Sequence, residues 1–182
     1  MVATASATRN VVFSVSGRLL ALPAAAVRRV LPLPRLDSLP AAPPVVAGLF
    51  RHRDRTVPVL RLDALLGFEP APAALYAPLL LVERQDRPLA LLVERVFDIV
   101  PVPASALLAA DAALSFNGCA VAGFPFGSGN ATLLDPDRLL TETEDRLLTA
   151  FQSLAEERAA WWRPAQDPAV AAIPDADAGA AP

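Results

Sequence analysis

The chain has 182 residues, enough for one domain with appendages. Its 54% hydrophobic fraction supplies a sizeable core, yet no apolar run is long enough to span a membrane, and the single cysteine, Cys119, excludes an internal disulfide framework and fits a reducing cytoplasm. The net charge of −3 conceals an asymmetry: residues 1–62 carry nine Arg against Asp37 and Asp54, residues 63–182 carry seven Arg against seventeen acids, and there is no Lys.

Residues 1–8 are small and polar, with no basic segment leading into an apolar one, and read as a flexible N-terminus rather than a secretion signal. Val11–Val15 and Leu19–Leu22 flank Ser16-Gly17 as the arms of a hairpin. Ala24–Val30 suits a short helix or turn. Val45–Phe50 leads to the charged turn Arg51–Arg55, and Thr56–Leu60 resumes the apolar pattern. Asp63–Leu66 suits one helical turn stopped by Gly67. Leu79–Glu83 and Leu89–Val93 flank a polar loop, and Val96–Val102, Cys119–Phe124 and Ala131–Leu134 add further strands. Roughly ten short strands with tight connections imply a barrel or sandwich.

A helix is predicted over Glu142–Trp162, opened by a capping box between Thr141 and Glu144. Leu147, Phe151, Leu154, Arg158 and Trp162 fall on one face of it, with Leu148 and Ala155 beside them, a stripe suited to packing back on the barrel or to docking a partner. Residues 163–182 hold almost no large apolar side chain and read as a disordered tail rich in Pro and Ala.

The search for catalysis subtracts. His52 is the only histidine, sits among Arg51, Arg53 and Arg55, and has no evident nucleophile beside it. Cys119, in the apolar run Cys-Ala-Val-Ala, reads as a buried small hydrophobe, and one His with one Cys cannot build a zinc site. Gly123–Gly129 has the wrong spacing for a dinucleotide or phosphate loop and suits a hairpin turn. Asp135-Pro136 suits the start of a short helical turn. The Arg51–Arg55 cluster is interrupted by Asp54 and lacks aromatic residues, and the pI near 5.1 opposes nucleic-acid binding. The asymmetric charge itself has two readings: Arg scattered over solvated faces, or an electropositive N-terminal face that meets an acidic partner.

Gly48-Leu-Phe-Arg-His-Arg53-Asp-Arg-Thr-Val57-Pro58-Val59-Leu-Arg-Leu62, with Leu65-Leu66-Gly67 after it, resembles the signature of CheW-like adaptor proteins. Phe13–Gly17 with Leu20–Pro23 and Val27–Val30, Leu39-Pro40 with Pro43, Leu91–Val96, and Val121–Gly123 with Leu133–Asp135 and Leu139-Leu140 are similar to flanking pieces of that family in the same order. The resemblance covers about residues 9–141 and implies a mainly β fold of two interleaved, small, five-stranded SH3-like barrels, here followed by the C-terminal helix over residues 142–162.

It further implies a non-catalytic cytoplasmic scaffold, without cofactor or metal, recruited to membrane-associated receptor arrays. Its partners would be the regulatory domain of a CheA-type histidine kinase and the cytoplasmic tip of a chemoreceptor, with no nucleic acid and no direct membrane insertion. Val27, Arg29, Gly48, Arg51, Arg53, Val57, Val93, Glu94 and Gly123 occupy the positions that the family would place at receptor or kinase interfaces. Arg29 stands where the family has Glu, Arg61 where it has Asp, Arg51 where it has Asn, His52 where it has an apolar residue and Asp54 where it has Gly. These departures suggest a specialised paralogue, and an alternative reading is a β-barrel interaction module of another system, such as pilus or surface-sensing regulation, that binds no CheA-type kinase.

Overall fold

A computed structural model describes residues 7–38, 42–53, 55–69, 74, 76–84, 87–110 and 116–161. Ten strands lie among them: β1 (Thr8–Val15), β2 (Arg18–Pro23), β3 (Val27–Pro32), β4 (Val46–His52), β5 (Arg55–Arg61), β6 (Pro78–Arg84), β7 (Arg87–Leu92), β8 (Arg95–Val102), β9 (Ala120–Phe126) and β10 (Gly129–Leu134). One helical turn, α1 (Leu62–Leu65), follows β5, and a long helix, α2 (Glu142–Trp161), closes the described chain.

The strands form two five-stranded sheets, ordered β8-β1-β2-β10-β9 and β3-β6-β7-β5-β4. Neighbours are antiparallel except β2 with β10 and β5 with β7, which pair in parallel. The chain crosses from the first sheet to the second after β2 and returns after β7, so the two barrels are interleaved as the family resemblance implies.

The strand sequences explain this architecture. Successive side chains of a strand point to opposite faces, so an uninterrupted apolar run requires burial on both. In β1, Val11, Phe13 and Val15 enter a large core shared by the two sheets, while Val12 faces the interior of the first barrel. In β6, Leu80 and Val82 enter the shared core, while Leu79 and Leu81 face the interior of the second barrel. β2, β5 and β7 divide their residues in the same way.

Local chemistry sets the turns. Ser16 and Gly17 both have positive φ, 48° and 70°, as the two-residue turn between β1 and β2 requires. The β4–β5 connection begins with Arg53 at φ 54°, whereas Asp54 lies outside the described residues. Gly67 stops α1 at φ 67°. Asp135 accepts a hydrogen bond from the Asp137 N–H at 3.0 Å and, with Pro136, starts the short 3₁₀ turn Pro136–Arg138.

Residues 24–30 depart from expectation. Only 24–26 form a turn, and Val27–Pro32 is the edge strand β3, paired with β6. Three alanines are too few to offset helix nucleation, and pairing with β6 decides the outcome.

Helix α2 starts as predicted. Thr141 Oγ1 accepts from the Glu144 N–H at 3.3 Å, and Glu144 Oε2 accepts from the Thr141 N–H at 2.8 Å. Its packing face differs from the predicted stripe. Leu148 is buried in the shared core, whereas Leu147 and Leu154 are 45% and 40% exposed and Trp161 is 91% exposed; Trp162 lies outside the described residues.

Polar anchors turn the helix this way. Arg84, buried at the end of β6, donates to Asp145 Oδ1 at 2.5 Å and twice to the Asp137 carbonyl, at 3.0 and 3.3 Å. Gln152 Nε2 donates to the Thr56 carbonyl at 3.4 Å, and Arg87 donates to Thr149 Oγ1.

Two predictions follow from this packing. A Cβ at Gly48 would lie 2.8 Å from the Asp37 carbonyl oxygen and 2.9 Å from Leu36 Cβ, whereas one at Gly123 meets nothing closer than 3.7 Å. In urea unfolding, Gly48→Ala is therefore expected to lose about 2 kcal/mol or more and Gly123→Ala less than about 1 kcal/mol. Asp145→Ala leaves the buried Arg84 without its carboxylate, and because Asp145 is itself partly exposed the expected loss is about 1–2 kcal/mol.

Candidate protein-interaction surface

The structure divides the nine candidate interface residues by accessibility. Arg29 on β3, Arg51 on β4, Arg53 in the β4–β5 turn and Glu94 between β7 and β8 are exposed. Val27 is half-buried against the shared core, and Gly123 is half-buried in β9, where it exchanges two backbone hydrogen bonds with Leu108, at 2.7 and 3.0 Å. Gly48, Val57 and Val93 are buried, Val57 inside the second barrel and Val93 in the shared core. Gly48 lies at a register shift in β4, where the bridge between Asp37 and Leu49 brings residues 36–37 against it.

Glu94 also has work inside the fold. Its carboxylate accepts from the Gly17 N–H at 3.1 Å, and its own N–H donates to the Ser14 carbonyl at 2.9 Å. These bonds tie the second chain crossing to the β1–β2 hairpin.

Four arginines converge at one end of the second barrel, Arg51 not among them. Arg28, Arg29, His52, Arg53 and Arg55 line a groove of about 510 Å³ that runs from β3 to the β4–β5 turn. Pro88 is its half-buried apolar lining residue, Leu81 and Val82 meet it from buried positions, and Glu83 is its acidic lining residue. A register shift between Val27 and Arg29 bulges β3, which lets the adjacent Arg28 and Arg29 both reach the groove. The His52 ring meets Phe50 edge-on, with centroids 6.1 Å apart, at the mouth of the barrel.

Glu83 Oε2 accepts from Arg28 Nε at 2.5 Å, whereas Arg29, Arg53 and Arg55 form no ion pair with any described residue. A second hollow shares Arg55 and Pro88 with this groove and is walled by Thr149, Gln152, Ser153 and Glu156 of α2. Sequence reasoning grouped Arg55 with Arg51 and Arg53 without counting it among the interface residues, and it missed Arg28, since the bulge in β3 is invisible without its pairing partner.

Arg61 does not join the others. It lies at the far end of β5 from Arg55, and its guanidinium forks onto Asp63 at 2.7 and 3.2 Å. Those hydrogen bonds hold its pKa above the ordinary range. Of Arg29 and Arg61, only Arg29 lines the groove. Cys119 is buried in the shared core, and burial pushes its thiol pKa up, as suits a packing residue rather than a nucleophile. Among the described residues no cluster of His, Cys, Asp and Glu is arranged to hold a metal, and no helix is long and apolar enough to cross a membrane.

Comparison with known proteins adds to this geometry. The scaffolding protein TtCheW from Thermoanaerobacter tengcongensis has a similar fold, with a TM-score of 0.67 and 17% sequence identity over 73% of this chain and 92% of that one. No curated protein matches the sequence. The family model for the CheW-like domain matches residues 9–144, a span that holds all ten strands but for Thr8 of β1, and the whole basic groove. With that match over most of its length and two interleaved five-stranded sheets, this chain belongs to the CheW-like domain family.

Proposed function

We propose that the chain is a non-catalytic adaptor that couples the cytoplasmic tip of a chemoreceptor to the regulatory domain of a CheA-type histidine kinase. Membership of a family of scaffolds carries this reading, through the domain match over residues 9–144. The accessibility of Arg29, Arg51 and Arg53 supports it, because a partner can reach them without disturbing either barrel. Gly48, Val57 and Val93 support it only indirectly, by holding the strands that present those side chains. On this reading the protein works in the cytoplasm at receptor arrays, and the domain proper spans residues 9–141 with α2 as an appended helix.

The reading is tested by capture of purified partners from the same organism. The kinase regulatory domain and a soluble receptor hairpin should each bind with a dissociation constant of about 1–50 μM, in the range of transient signalling contacts. No binding to any kinase of that class would overturn the coupling role and favour an adaptor of another system. Arg53→Glu should weaken capture at least about fivefold while changing unfolding free energy by less than about 0.5 kcal/mol, as exposed substitutions usually do. A large stability loss with unchanged capture per folded molecule would make Arg53 structural instead.

A further inference from the structure

We infer that the basic groove of the second barrel docks an acidic segment of a partner protein, with α2 forming one wall of the site. The inference rests on the adaptor reading and names the chemistry of the partner.

Charge is the first argument. Arg29, Arg53 and Arg55 present guanidinium groups on one concave surface and form no ion pair with any described residue, while Glu83 is engaged by Arg28. Guanidinium forks match carboxylates with two parallel hydrogen bonds each, and a concave wall strengthens their field.

The rest of the lining selects protein over nucleic acid. Of its apolar lining only Pro88 is accessible, since Leu81 and Val82 are buried in the barrel core and the shared core, and it offers a contact for an aliphatic side chain between the acids. Beyond Arg55 the groove continues past Gln152 and Ser153 to the exposed Glu156, and the Ser153 hydroxyl and the remaining amide capacity of Gln152 can pair with a peptide backbone. The described lining residues include no Phe, Tyr or Trp on which bases could stack, and the net charge of −3 opposes phosphate binding elsewhere on the chain.

The wall belongs to this chain rather than to the family pattern. Thr149, Gln152, Ser153 and Glu156 all lie beyond residue 144, where the family match ends. Arg84 with Asp145, Arg87 with Thr149, and Gln152 with the Thr56 carbonyl fix that wall against β5 and the ends of β6 and β7. The site is thus preformed, and a ligand entering it need not order the helix.

The experiment uses the full chain and fluorescence anisotropy. The probes are a labelled dodecapeptide of Glu and Ala, the same peptide with Gln for Glu, and a labelled oligothymidylate. The acidic peptide should bind at least about tenfold more tightly than either control at physiological salt. Arg29→Glu/Arg53→Glu should weaken it by about tenfold or more, whereas the charge-matched Arg9→Glu/Arg95→Glu, on β1 and β8, should change it by less than about threefold. Ser153→Glu should weaken binding by about threefold or more, as a negative charge placed on the wall repels the ligand.

Equal binding of the Gln peptide, tighter binding of the oligonucleotide, or equal losses in the two double variants would overturn the inference. Loss of peptide binding with kinase capture intact rejects the groove and leaves the adaptor standing; peptide binding without kinase capture rejects the coupling role and leaves the groove.

Discussion

Phe13, Leu22, Leu60, Leu80 and Leu91 meet in a single core that belongs to neither barrel alone, and the rest of the molecule depends on that contact. Each of these residues lies on a strand whose intervening side chains fill a second, smaller core inside one barrel. A small five-stranded barrel buries little apolar surface by itself. Fusing two of them through a common layer gives β1, β2, β5, β6 and β7 two buried faces, and each fully buried Leu or Phe then contributes about 1.5–3 kcal/mol. The double crossing of the chain between sheets follows from this arrangement, since neither barrel is a contiguous stretch of sequence.

The shared core also determines where function can reside. Strands buried on both faces leave few positions free for partners, chiefly the edges of the sheets, the turns and the barrel mouths. Arg29 lies on an edge strand, Arg53 in a turn, and Arg55 at the start of a strand beside that turn. Their convergence is therefore an outcome of the fold as much as of the sequence. Helix α2 fits the same logic: Leu148 reaches the shared core, Arg84 and Asp145 set its rotation, and the stripe of Leu147 and Leu154 is left facing solvent.

Much of this was legible in the sequence because turn chemistry is local. Ser16-Gly17, Leu66-Gly67 and Asp135-Pro136 each require a particular backbone geometry, and each occurs where predicted. The motif around Gly48 was legible too, and its glycine and valines are buried. What the sequence concealed depended on partners distant along the chain. β3 exists because β6 pairs with it, the rotation of α2 is decided by an arginine 61 residues earlier, and Arg61 is occupied by Asp63 only because α1 turns the chain back. Periodicity marks Leu147 and Leu154 as an apolar face without revealing that the barrel meets a different one.

One core makes the two barrels a single cooperative unit, and native-state hydrogen exchange on Leu91→Ala tests this coupling. Leu91 is fully buried in β7 of the second barrel, within the shared core. The slowest amides of β2, in the first barrel, and of β7 should lose protection by the same amount, about 2–5 kcal/mol. Loss confined to β7 and its neighbours, with β2 protected as before, would show that the barrels unfold independently and would contradict it.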